Sequence, residues 1–199
     1  MTFIWKVFFF SLLAGTLAFV PWVLFHKKPV PRSENDVINR VFVLMQDGRY
    51  DDADSTIQMW LKGCDCEDAS GVELYRTRAM IYIVKAHKKH GSKDESIRQA
   101  EENLNKSLLI YDANPPKELD VELFEIGGAF DILGDLSDSR KCEFYLQARQ
   151  AFVRQLPMIV GDTSTAYGKT IHLERVRAEI RRHLEKTNEK IAKAGCKVN

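Results

Sequence analysis

Leu123-Phe124-Glu125-Ile126-Gly127-Gly128-Ala129-Phe130-Asp131-Ile132-Leu133-Gly134-Asp135 is the stretch whose reading decides the fold. Its large apolar residues, Leu123, Ile126 and Phe130, return at steps of three and four, which places them on one face of a helix. Gly127 on that face lets a partner helix approach closely, and the large side chains around it fill the space. Gly134-Asp135 reads as the turn into a following helix. A helix built this way needs a second helix packed against it.

The same pattern continues on either side. Val37, Val41, Leu44 and Met45 form one stripe, closed by Asp47-Gly48, and Ala53, Ile57, Trp60 and Leu61 form the next, closed by Gly63. A third helix is expected over 71–89, with the apolar run MIYIV at 80–84, and a fourth over 95–111 with Ile97, Ala100, Leu104, Leu108 and Leu109 inward. Pro115-Pro116 separates it from a fifth over 118–133. A sixth spans 137–156 with Cys142, Tyr145, Ala148 and Phe152 on one face. After a loop at 157–169, a last helix over 170–194 carries Leu173, Val176, Ile180, Leu184 and Ile191. Nothing reads as a strand. The expectation is an all-α body of three antiparallel helix pairs over 37–169 and a basic capping helix and tail over 170–199. Gly48, Gly91 and Gly134 are each 43 residues apart, which suggests a repeated helical hairpin whose stacking buries one continuous core.

Leu123-x2-Ile126-Gly127-x2-Phe130 followed by Gly134 resembles the tetratricopeptide (TPR) repeat pattern, with apolar residues at each large position. Gly48-x-Tyr50-x2-Ala53 resembles the same family's turn and second-helix start. That resemblance implies a tight turn at Gly48, a wedge between helices at Tyr50 and close packing at Ala53. Ser107-Leu108 and then Pro115 are similar to the close of a repeat. The likeness covers residues 36–156. The middle pair lacks the Gly/Tyr/Ala set, and a 43-residue period exceeds the family's 34. HEAT-like or Sel1-like pairs suit the period and suit the motifs less well. In such repeats the first helices of successive pairs line a concave face. The stripe Tyr75, Arg78, Tyr82, Lys85 and Lys89 on the third helix is therefore a candidate groove for an extended or acidic peptide. The alternative is that both tyrosines are core and the cations ordinary surface.

The N-terminus is a separate matter. Val7 to Phe25 is an uncharged run, VFFFSLLAGTLAFVPWVLF, long enough as a helix to cross a bilayer of about 30 Å hydrocarbon thickness. Trp5 and Trp22 lie near its ends, and His26, Lys27, Lys28, Pro29 and Pro31 follow. Residues 1–28 read as one transmembrane anchor with its flanks, and 29–36 as a proline-bearing linker whose Ser33, Asn35 and Asp36 are helix-capping types. A cleaved signal peptide is the rival, with Thr16-Leu17-Ala18 as its small-x-small site, although cleavage there leaves a very apolar new terminus. Lys6 and the α-amine precede the segment while Lys27, Lys28 and Arg32 follow it, so the positive-inside bias leans to a cytosolic domain.

The chain carries 29 Lys and Arg against 28 Asp and Glu, a balance that argues against a nucleic-acid binder. Residues 1–32 hold four of the cations and no acid, leaving the remainder at net −3. Apolar content of 45% with 11 Gly and 6 Pro excludes collagen-like and low-complexity chains. Gly161 to Thr170 ends in Gly-Lys-Thr, but six residues rather than four separate its glycines, and a solvated loop is the plainer reading. Cys64 and Cys66 could ligate a metal with His87 and His90, exchange disulfides, stay as loop thiols, or form a structural disulfide in an extracytoplasmic domain. Cys142 and Cys196 stand alone in the sequence. The charges of the last helix, Arg175, Arg177, Arg181 and Arg182 with Glu174, Glu179 and Glu185, read as a solvated face. No catalytic set, metal site or cofactor is expected. The function these observations imply is a membrane-tethered, non-catalytic adaptor that binds other proteins. The alternative is a small enzyme using the 161–170 loop for nucleotide or Cys64/Cys66 for redox chemistry, with Lys169 then essential.

Overall fold

The computed structural model describes residues 33–64, 66–115, 121–166 and 169–197, with the backbone alone over 164–166 and 169–171. The proposed membrane segment at 7–25 lies outside the described residues. Among those described, no helix is long and apolar enough to cross a membrane. Seven α-helices account for nearly all of the described chain: α1 Glu34–Gln46, α2 Tyr50–Gly63, α3 Ala69–Lys88, α4 Lys93–Ala113, α5 Glu122–Leu136, α6 Lys141–Gln155 and α7 Leu173–Lys193. The architecture is an all-α packing of helical hairpins, compatible with a helical repeat.

Local chemistry explains the boundaries. Ser33 Oγ accepts from Asp36 N–H at 3.2 Å, so the first helix begins at Glu34, inside the span expected as linker. Gly48, at φ +72°, closes α1 as its N–H and that of Arg49 return to the Met45 and Leu44 carbonyls. Asp68 caps α3 through Ser70 N–H, and Ser92 caps α4 through Glu95 N–H. The α3–α4 turn uses two left-handed residues, Lys89 and Gly91.

Gly134 has a different role from that expected. It lies inside α5, which runs on to Leu136, and the turn falls later, where Ser137 Oγ accepts from Arg140 N–H. A Cβ on Gly134 would sit 2.3 Å from the Tyr145 ring, so its smallness serves packing rather than chain reversal. The equal 43-residue spacing thus joins two turn glycines to one packing glycine. Gly127 is likewise a contact glycine: a Cβ there would lie 2.7 Å from the Phe152 ring. Leu123, Ile126 and Phe130 around it are fully buried.

Two apolar clusters form the core. Val37, Ile38, Val41 and Leu44 of α1 join Ala53 and Ile57 of α2 and Leu74 and Ile81 of α3. The larger cluster runs from α3 (Val72, Ala79, Ile83) through α4, α5 and α6 to Leu173 and Ile180 of α7. Helix α3 therefore buries two opposite faces, which is why its apolar run MIYIV has no clean stripe. Leu109, expected inward, is exposed. The buried stripe of α4 passes through Leu104, Ser107 and Tyr111, and the Ser107 hydroxyl donates to the Val72 carbonyl at 2.8 Å.

Ion pairs lace successive hairpins. Arg76 of α3 bonds Glu122 and Glu125 of α5 at 2.8 and 2.5 Å. Arg140, just before α6, forks onto Glu101 of α4 with both bonds at 2.6 Å. Arg154 of α6 also pairs with Asp112 of α4. Between the second and third hairpins, first helix thus pairs with first helix, and second with second.

The span expected as loop holds a short antiparallel hairpin, β1 Thr163–Ala166 and β2 Lys169–His172, with Thr163 opposite His172 and Ala166 opposite Lys169. Two segments with β-branched residues, Thr163 and Thr165 in one and Thr170 and Ile171 in the other, joined by two residues, suit such a pairing even without apolar alternation. The last helix accordingly starts at Leu173 rather than 170.

Candidate functional site

Asp51, Asp54 and Gln58 fall on one stripe of α2, and Arg78, Tyr82 and Lys85 on one stripe of α3. Packing α2 on α3 brings the two stripes face to face. Asp54 accepts from Arg78 Nε at 2.6 Å, from the Tyr82 hydroxyl at 2.9 Å and from Gln58 Nε2 at 2.8 Å. Lys85 Nζ lies 2.8 Å from Asp51, and His90 Nε2 lies 3.5 Å from the same carboxylate. Both cations also lie over the Tyr82 ring, at 5.8 Å for Arg78 and 5.3 Å for Lys85.

Beside this network opens a cleft of about 280 Å³. Gln58, Arg78, Tyr82 and Lys85 form one wall, the turn His90-Gly91-Ser92 the floor of one end, and Glu95, Ser96 and Gln99 of α4 the other wall. Tyr50, at the start of α2, packs edge-on against His90 at 5.3 Å and ties the first turn to the second.

Electrostatics fix the protonation states. Burial opposes the charge on Arg78, but the hydrogen bond and charge of Asp54 outweigh it and raise its pKa. Burial, then the bond to Asp54, raises the Tyr82 hydroxyl above its ordinary value, so it stays a donor. Lys85, by its hydrogen bond and charge, lowers Asp51. Bonds from Arg98 and Gln99 bring Glu95 down to about 2. These carboxylates are ionised and the phenol protonated at neutral pH. That suits presenting fixed hydrogen-bonding groups to a ligand better than passing protons.

Of the stripe expected as a groove, Arg78, Tyr82 and Lys85 line the cleft together. Tyr75 points elsewhere, beneath Lys106 Nζ at 5.7 Å, and Lys89 is exposed at the end of α3 in a left-handed conformation. The flanking walls come from α2 and α4, the second helices of their pairs, rather than from α1 and α5. Sequence reasoning missed Asp54 and Gln99. An acid at Asp54 with Gln58 one turn on was a legible signal only once α2 was known to face α3.

The other candidates separate. Lys169 and Thr170 sit in β2, opposite Ala166 and Thr165, so these two residues belong to a strand rather than to a loop feeding a helix; Gly168 lies outside the described residues. Cys64 is bonded to Cys66, and Cys142, expected to stand alone on the inward face, is half-buried and bonded to Cys196. Among the described residues no group of three His, Cys, Asp or Glu is placed to hold a metal ion.

Fold and cleft together define a class: an all-α domain of packed helices, compatible with a helical repeat, with a polar cleft between α2, α3 and α4. Compared with known proteins, the chain matches no family model, no curated protein and no solved structure.

Proposed function

We propose that this chain is a membrane-tethered adaptor whose TPR-like solenoid binds a segment of another protein and performs no chemistry of its own. The observation that carries the reading is the cleft beside Arg78, Tyr82 and Lys85, whose polar groups are already oriented by Asp51 and Asp54. Pre-oriented groups spare a ligand the entropy of ordering them, which favours binding. The TPR-like arrangement is supported by Gly127 beneath Phe152 and by ion pairs joining like helices of successive hairpins. The tether is supported by the uncharged run at 7–25, which holds a chain in a bilayer far more strongly than surface charge does.

Crosslinking and pull-down with the full chain, solubilised from membranes, test the adaptor reading. A specific partner should lose affinity with Lys85→Glu and Gln99→Ala, and bind less tightly as salt rises. Lys85 serves better than Arg78 for this purpose, because Arg78→Glu also sets two carboxylates against each other inside the fold. A partner whose affinity ignores both changes rules out the cleft. Retention in the membrane pellet after carbonate washing tests the anchor, and quantitative release of a shortened chain refutes it.

A further inference from the structure

Helix α7 ends in a turn that returns the chain to α6. Gly195 adopts φ +68°, its N–H bonds the Ala192 carbonyl, and the Cys196 N–H bonds the Ile191 carbonyl at 3.1 Å. This reversal brings Cys196 to Cys142 in the first turn of α6, with the two Cα atoms 5.3 Å apart although 54 residues separate them in sequence. That distance lies within the span a disulfide bridges without backbone movement.

The juxtaposition does not depend on the sulfurs. Lys190 Nζ lies 2.5 Å from Asp131 and 2.7 Å from Asp135 of α5, and Thr187 donates to Asp131 at 3.0 Å. Tyr145 of α6 donates to Asp135 at 2.8 Å and lies beneath Lys190 Nζ. Ile180 and Ile191 are buried. Packing and charge therefore hold the last turn of α7 against α5 and α6, and the two cysteines are delivered to each other by the folded chain.

Nor do the four cysteines resemble buried thiols. Unpaired cysteine is among the most buried residue types. Here all four are half-buried, none is in the core, and all are paired. Such pairs persist where the surroundings are oxidising.

We infer that the helical domain matures and works on the oxidising side of its membrane, with Cys142–Cys196 as an oxidative clamp that fastens α7 to α6. The flank charges around the uncharged run, two before and three after, are too evenly matched to outweigh this. The domain then lies opposite to the side they lean toward. Formation proceeds by thiol–disulfide exchange. One thiolate of the pair attacks a disulfide of a protein oxidant, and a mixed disulfide forms as one oxidant thiolate leaves. The second cysteine displaces the other oxidant sulfur. Two electrons and two protons pass to the oxidant, which departs as a dithiol. This inference rests on the proposed tether for its membrane, and is independent of whether and which segment the cleft binds.

The test uses the full chain in its native cells, quenched in acid, with free thiols blocked by N-ethylmaleimide and the protein digested by trypsin without reductant. The expected product is the peptide Cys142–Arg149 joined to Ala194–Lys197, with near-complete loss of label at both cysteines. Reduction before blocking should restore labelling. Protease applied from the non-cytosolic side should remove the domain. Labelled Cys142 and Cys196 in quenched cells, or a domain protected from that protease, overturns the assignment of the compartment. A link from Cys142 to Cys64 or Cys66 overturns the pairing.

Discussion

Replacing Gly127 by alanine adds a single carbon to a close helix–helix approach in the third hairpin, while the same change at Gly128 adds it to open space. The Gly127 Cβ would lie 2.7 and 2.9 Å from two atoms of the Phe152 ring and 3.2 Å from the Ala148 carbonyl oxygen. Phe152 has little room to retreat, since it is fully buried and its ring packs against Phe124 at 5.7 Å and His183 at 5.9 Å. Overpacking of this kind costs about 1–3 kcal/mol, against about 1 kcal/mol gained from the better helix propensity of alanine. The net expectation for Gly127→Ala is a loss of up to about 2 kcal/mol, or up to roughly 8 °C in Tm for a chain of this size. Gly128 has nothing within 4 Å of its Cβ position, so Gly128→Ala should stabilise by about 0.5–1 kcal/mol. Urea unfolding followed by far-UV circular dichroism on the full chain in mild detergent reads both changes. Adjacent glycines shifting the midpoint in opposite directions is the signature of the packing described. Stabilisation by Gly127→Ala would show that α5 and α6 do not approach there.

Gly71→Ala should cost more than Gly127→Ala in the same assay, because its Cβ would meet the Cys66 carbonyl oxygen at 2.0 Å, and a backbone atom yields less than a side chain. Loss of the Cys142–Cys196 bridge by Cys196→Ser should destabilise by about 4 kcal/mol on chain-entropy grounds, against under about 2 for Cys64→Ser, whose bridge closes a very short loop; comparable midpoint shifts would contradict this. Alkaline pH should weaken the fold. Lys190 is raised, burial opposing but Asp131 and Asp135 prevailing, while burial and neighbouring carboxylates raise Tyr82 and Tyr145. In all three the folded state keeps its proton longer than the unfolded. Their contribution is full below the ordinary values of 10.5 for Lys and 10.0 for Tyr and fades as pH rises through the folded values. Midpoints measured between pH 9 and 12 should fall, and Lys190→Met with Tyr145→Phe should flatten the fall.

The helices themselves were legible in the sequence, because a helix is a local object. Val37, Val41 and Leu44, or Leu123, Ile126 and Phe130, show their inward face through spacing alone, and Gly48 marks its turn by chemistry that involves no distant residue. Gly127 could be read as a contact glycine because Leu123, Ile126 and Phe130 flank it on the same helix face, although the ring that crowds it, Phe152, comes from α6. What spacing could not decide was which face meets which. Helix α3 buries two faces, so MIYIV carries no stripe, and Leu109 is exposed because the α4 stripe is chosen by its packing against α3. Gly134 could be read as a turn until Tyr145 was found beside it. The cleft exists only because α2 sets Asp54 against Arg78 and Tyr82, residues 24 and 28 positions further along the chain. Cys142 and Cys196 looked solitary for the same reason. Pairings across such distances are selected by packing of the whole body, whose free energy sums over many faces at once, and a periodicity of 3.6 residues holds no record of it.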